Sequence, residues 1–186
     1  MPQFPPLPSW DGLHPLMIHF PIALLLLCPL FIVISAVLSP PKGRPYMVAA
    51  LIVLLLGTGS LFIAASTGEE AAELAERGGA MNAVLETHEH LASEARIAFS
   101  ILSVILVGIF FLPRFLGPQR ARLSSTILPV AFLVSYSAGI GLLVNTAHAG
   151  GRLVHEFGVH AMMPAATEQS VDANVTVKTT ASADKE

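Results

Sequence analysis

Charged residues are so rare in this chain that the gaps between them dictate what it can fold into. Asp11 and Lys42 bracket a stretch whose apolar heart is 16–38, and Arg44 and Glu69 bracket 46–66. Arg96 and Arg114 bracket 97–113, and Arg122 and His148 bracket 123–147. A helix rises about 1.5 Å per residue and a bilayer's hydrocarbon core is about 30 Å thick, so each stretch is long enough to cross, the third only just. Charged residues make up 12% of the 186 and hydrophobic ones 53%. A soluble domain carries about 25% charged residues, so this chain could not cover itself for water. The expected fold is all-α, a bundle of four transmembrane helices.

The spans fall at about 16–38, 46–66, 97–116 and 124–147, within a membrane domain covering 1–163. The first is not expected to be a cleaved signal, because no Lys or Arg precedes it and its apolar run is too long. Residues 164–186 are small and polar, lack aromatics and are expected to be disordered. The connection at about 68–96 has a helical pattern of its own. Thr67-Gly-Glu-Glu70 has the form of a capping box, and Glu73 and Arg77 are spaced as a favourable i,i+4 pair. These predict a short helix over 68–77, broken at Gly78-Gly79. From residue 80 the apolar residues Met81, Val84, Leu85, Leu91, Ala92, Ala95 and Phe99 recur at three- and four-residue steps, with His88 on the same stripe. The third helix is therefore expected to begin near 80 and to project several turns beyond the membrane. No internal repeat is legible, although the two halves share a helix-pair plan.

Sidedness follows from the basic residues. Lys42 and Arg44 sit between spans 1 and 2, and Arg114, Arg120 and Arg122 between spans 3 and 4, with no acid in either loop. All 13 acidic residues lie on the other side, with both termini. Positively charged loops stay in the cytoplasm, which predicts an N-out, C-out protein. All seven histidines, His14, His19, His88, His90, His148, His155 and His160, then share the outer side. The net charge of −3 leaves no basic footprint for nucleic acid. The single cysteine, Cys28, excludes an internal disulfide and a Cys-x-x-Cys-His haem attachment.

An imidazole near a membrane face is costly without a partner, so these histidines are candidate functional groups. His14 and His19 flank the entry of helix 1, with Pro15 suited to a first helical turn. His88 lies on the apolar stripe of helix 3, whereas His90 lies on its polar face. If helix 4 continues past residue 147, His148 and His155 are two turns apart on one face. If Gly150-Gly151 ends that helix, His155 sits in a surface loop. Small residues Gly57, Ser60, Ala64 and Gly68 recur down helix 2, with Gly139 and Gly141 in helix 4. They suit either close helix packing or the approach of a flat macrocycle.

Imidazole suits haem iron, copper and zinc. Neither His88-Glu-His90 nor His155-Glu156 has the H-E-x-x-H spacing of a hydrolytic zinc site. Non-covalent b-type haem needs two histidines from different helix ends and an apolar slot. His14, His19, His88, His148 and His155 are the candidate ligands, with Arg96 and Arg152 placed to meet propionates. A copper or zinc site on His19, His88, His148 and His155 is the alternative, as is no cofactor. No nucleophile–base pair is legible, and no acid lies inside a span to mark a transport path.

The segments LHPLMIHFPIALLLL, TGEEAAE, HEHLA and TAHAGGRLVHEFGV resemble a family of small bacterial four-helix membrane domains of unknown function. They cover nearly the whole chain up to Ala161. Some relatives are encoded with or fused to c-type cytochrome modules, so the resemblance implies a respiratory setting. It points to His14, His19, His88, His148 and His155 as the positions that match family motifs. The expected function is a membrane electron-transfer subunit of the bacterial inner membrane. It would exchange electrons between quinone and a c-type cytochrome or other respiratory subunit, as one chain or a homo-oligomer. The alternative is a scaffold or assembly subunit without redox chemistry.

Overall fold

The computed structural model describes residues 8–74, 78–115 and 123–159. The expected disordered tail 164–186, His160, Arg77, Arg120 and Arg122 lie outside the described residues. Among the described residues four helices are long and apolar enough to cross a membrane: α1 (Asp11–Val37), α2 (Pro40–Leu74), α3 (Gly79–Phe111) and α4 (Leu128–His155). No strand is present among the described residues. Each helix packs on its sequence neighbours, and α4 closes on α1. The result is a four-helix membrane bundle in which α1 and α3 stand diagonally.

Prolines shape α1 in ways the chain then uses. Pro21 has no N–H for the carbonyl of Met17, so that helical bond is missing, while Ile18 keeps helical angles (φ −62°, ψ −24°) and its bonds to His14 and Ile22. Pro29 likewise leaves the carbonyl of Leu25, four residues earlier, without its helical donor. Inside a bilayer that carbonyl must find another partner. Tyr136 of α4, itself buried, donates its hydroxyl to the Leu25 oxygen at 2.8 Å. The same ring packs edge-on to Phe99 and tilted to Phe132. A proline on one helix and a tyrosine on another thus make one inter-helix fastening. The core around it contains Leu25, Cys28, Ile32, Ala50, Leu54, Phe99 and Leu106.

The turn between α1 and α2 is tight. A Cβ on Gly43 would run into the backbone of Ser35, so glycine lets α2 begin directly beneath the end of α1. Thr58 of α2 and Ser103 of α3 share a buried hydrogen bond at 3.0 Å, satisfying both hydroxyls away from water.

At the other end of the bundle, α2 runs unbroken to Leu74. Thr67 is therefore no cap of a new helix, as its T-x-x-E spacing suggests. It lies in the helix interior and bonds back to the carbonyl of Ala64 at 2.9 Å. Apolar packing of α2 outweighs the local capping signal, which any Ser or Thr three residues before a Glu would give. Helix α4 likewise passes through Gly150-Gly151 and ends after His155. The chain turns at Gly158, whose φ of +68° suits glycine. A second apolar cluster closes this end: Ala72, Met81, Val84, Leu85 and Leu153, flanked by Phe157 and Val159.

Candidate histidine-pair site

His14 enters the bundle because the first turns of α1 lie along the far end of α2. Pro15 follows it in the first turn of the helix that begins at His14. The Trp10 indole N–H donates to Ser66 Oγ at 3.4 Å, holding the approach segment on α2. The His14 ring is half-buried, and its Nδ1 lies 2.9 Å from the Ala64 carbonyl oxygen. Only a protonated nitrogen can bond a carbonyl, so the hydrogen is on Nδ1 and Nε2 carries a bare lone pair. The hydroxyl oxygen of Thr67, which is fully buried, is a further neighbour of Nδ1 at 3.2 Å. The ring rests on Gly68, where a Cβ would stand 2.8 Å from His14 Cε1.

His88 sits on the buried stripe of α3, one turn beyond Val84 and Leu85. Its Nδ1 donates to the Thr146 carbonyl of α4 at 2.9 Å, which again leaves Nε2 free. Its ring rests on Gly150, where a Cβ would stand 3.0 Å from His88 Cε1. The two imidazoles meet across the bundle with ring centres 6.5 Å apart and planes at 86°.

These are two copies of one half-site. In each hairpin the first helix supplies an imidazole, and the second supplies a carbonyl at one position and a glycine four residues later. The sequences around them differ enough to hide the repeat, which lives in backbone atoms and in the absence of a side chain.

The pair lies between two apolar layers. Ala72 is one turn beyond Gly68, and Leu153 is three residues beyond Gly150, both in the closing cluster. Leu61 and Leu143, three residues before Ala64 and Thr146, belong to the main core. Two half-buried imidazoles, each with its Nδ1–H engaged by a carbonyl, thus stand 6.5 Å apart between these layers. Such an arrangement can coordinate a metal centre that needs two nitrogen ligands, because each Nδ1–H is already fixed by a carbonyl.

The other candidates are placed elsewhere. His19, His148 and His155 are exposed on the outside of the bundle. His90 is exposed with Glu94, the ring nitrogen 3.6 Å from the carboxylate. Arg96 reaches Glu69 at 3.5 Å, and Arg152 holds Glu156 through Nε and a second nitrogen at 2.9–3.0 Å. Among the described residues no three of His, Cys, Asp or Glu gather as a metal-ligand group. Of the small-residue stripe, Gly57 meets Leu25 and Gly139 meets Phe99 and Leu102, which is helix packing. Gly68 meets the His14 ring instead, and nothing lies within 4 Å of a Cβ on Gly141. Sequence reasoning missed the pairing of Ala64 with Gly68 and of Thr146 with Gly150. The repeated four-residue spacing before and at a glycine was the available signal.

No curated protein and no solved structure matches the chain. A family model does, over residues 11–163, a range that takes in both halves of the histidine pair. The chain belongs to that family, described as "Predicted membrane protein (DUF2231)".

Proposed function

We propose that His14 and His88 would hold a b-type haem, and that the protein is an electron-transfer subunit of a bacterial inner membrane. The observation that carries this reading is the spacing of the imidazoles with their Nδ1 atoms engaged. Two imidazoles binding one metal from opposite sides, at about 2 Å per nitrogen, would have ring centres about 6.3 Å apart, close to the 6.5 Å between His14 and His88. A haem held by these two imidazoles would supply one-electron transfer. The chain's own part is to hold both rings in one tautomer, to keep Nε2 free and to exclude water with the layer of Ala72, Met81, Val84, Leu85 and Leu153.

Sidedness enters through the loops. Lys42, Arg44 and Arg114 stand at the end opposite the histidines, and by the positive-inside rule this supports a pair at the periplasmic face, N-out and C-out. Quinol in the bilayer and a c-type cytochrome outside are the donor and acceptor that such a position serves. Arg96 and Arg152 already hold Glu69 and Glu156, and a propionate would take over one of those partners.

Detergent-purified full-length protein, expressed with haem available, tests the reading by pyridine haemochrome and metal analysis. The expected result is one haem per chain in the wild type, lost in His14→Ala and in His88→Ala and kept in His148→Ala. Stoichiometric zinc or copper in place of haem would overturn it in favour of a divalent-metal site. A chain that binds no cofactor, and whose partner complexes survive both substitutions, would be a scaffold.

A further inference from the structure

The two half-sites match in imidazole, carbonyl and glycine, and they differ at the residue just before the glycine. In the first hairpin that residue is Thr67; in the second it is Ala149. The Thr67 hydroxyl donates its own proton to the Ala64 carbonyl at 2.9 Å. Its oxygen lone pairs are then left to face the His14 Nδ1–H at 3.2 Å. The His14 N–H is thus shared between two oxygens. The His88 N–H has the Thr146 carbonyl at 2.9 Å, and alanine in the corresponding position offers no hydroxyl.

We propose that Thr67 is a positioning residue that makes His14 the stronger electron donor of the pair, so that a metal held by both imidazoles would have two unequal ligands. A second acceptor draws the Nδ1 proton away from the ring and raises the electron density on Nε2, the known effect of a partner behind a ligating imidazole. Thr67 is fully buried and its hydroxyl meets the Ala64 carbonyl and the His14 Nδ1–H, so its influence passes through His14. The assignment of a metal centre rests on the haem reading above; the asymmetry of the two imidazoles does not.

The experiment has two arms, both on the full-length chain in detergent. Nitrogen-15 NMR of the histidine rings in cofactor-free protein compares the wild type with Thr67→Val and Thr67→Ser. The expected result is that Thr67→Val moves the His14 ring resonances toward those of His88 and leaves His88 in place, while Thr67→Ser stays near the wild type. Redox titration of haem-loaded protein forms the second arm. Loss of the hydroxyl weakens donation to the oxidised metal, so Thr67→Val shifts the midpoint to higher potential and Thr67→Ser restores it. Thr67→Ala, which copies the second half-site, serves if valine disturbs folding. Unchanged His14 resonances in both hydroxyl-free variants would overturn the proposal. So would a midpoint that Thr67→Ser moves as far as Thr67→Val. Absence of haem in the wild type would defeat the functional reading while the NMR arm still decided the asymmetry.

Discussion

The middle of the bundle and its histidine end solve the same problem with different donors. Both hold a polar side chain of one helix against a backbone carbonyl of another. In the middle, Pro29 strips the Leu25 carbonyl of its helical donor, and the single Tyr136 hydroxyl proton replaces it. The tyrosine's one proton goes to that bond, and the group becomes a fastening. At the histidine end no proline frees Ala64 or Thr146, so each carbonyl takes an imidazole proton in addition to its place in the helix. An imidazole has a second nitrogen, and the carbonyl bond determines which one stays bare. The contact that completes tyrosine leaves histidine poised for a ligand.

If that contrast is right, crowding the imidazoles should harm ligand binding far more than folding. A methyl at Gly68 or Gly150 would stand 2.8 or 3.0 Å from a ring carbon, and the ring can retreat only by stretching its 2.9 Å bond to the carbonyl. Disturbing the groups behind a metal-bound imidazole costs about 10–100-fold in affinity. On the proposed haem reading, Gly68→Ala and Gly150→Ala are expected to lose haem affinity to that extent, read by titration of the cofactor-free protein. Gly141→Ala has open space around it and serves as the control. Equal affinity in all three would mean that the rings are not held by the glycine floor.

In the middle of the bundle the expectation reverses: stability falls and ligand binding holds. Tyr136→Phe leaves the Leu25 carbonyl buried without a donor, at a cost of about 1 kcal/mol in a membrane protein. Pro29→Ala returns an N–H to that carbonyl, so the double variant should recover part of the loss. Denaturant unfolding of the four proteins in detergent gives the coupling directly. Additive losses would show that the Tyr136 hydroxyl contributes independently of the carbonyl that Pro29 frees, and no loss in Tyr136→Phe would leave the ring's packing on Phe99 and Phe132 as its whole contribution.

How much of this was legible in the sequence depends on where the information resides. The four spans were readable because 97–113 and its counterparts are defined by the absence of charge, a property of side chains along one helix. His14 and His88 were among the candidates for the same reason, as imidazoles on or beside apolar stripes. Their partnership was not readable, since it depends on carbonyls that every residue has and on two glycines whose packing role looks the same as that of Gly57 or Gly139. The T-x-x-E pattern at Thr67 misled because a capping box is a local signal, and a helix already packed on α1 does not stop for it. The proline–tyrosine fastening escaped because Leu25 and Tyr136 are 111 residues apart.

A third kind of polar contact, on the outer rim, marks the lower limit of the comparison. Glu156 closes α4 with hydrogen bonds from the Arg152 guanidinium, which hold its carboxyl below the usual carboxylate range. The charges of Arg152 and His148 act in the same direction. A carboxyl whose value is lower in the folded protein stabilises it above the ordinary value, about 4.3, and loses that contribution as the pH falls through the folded value. Hydrogen exchange of the Gly158 and Val159 amides, which bond back to Val154 and Leu153, should therefore be slower relative to the intrinsic rate at pH 7 than at pH 3. Glu156→Gln should flatten that dependence and leave haem content unchanged. The pair is exposed and screened by salt, so this is the smallest effect of the series. A pH dependence of the same size in Glu156→Gln would assign it to other groups. A drop in haem content would place the rim inside the site and erase the distinction between the inward imidazoles and the outward charges.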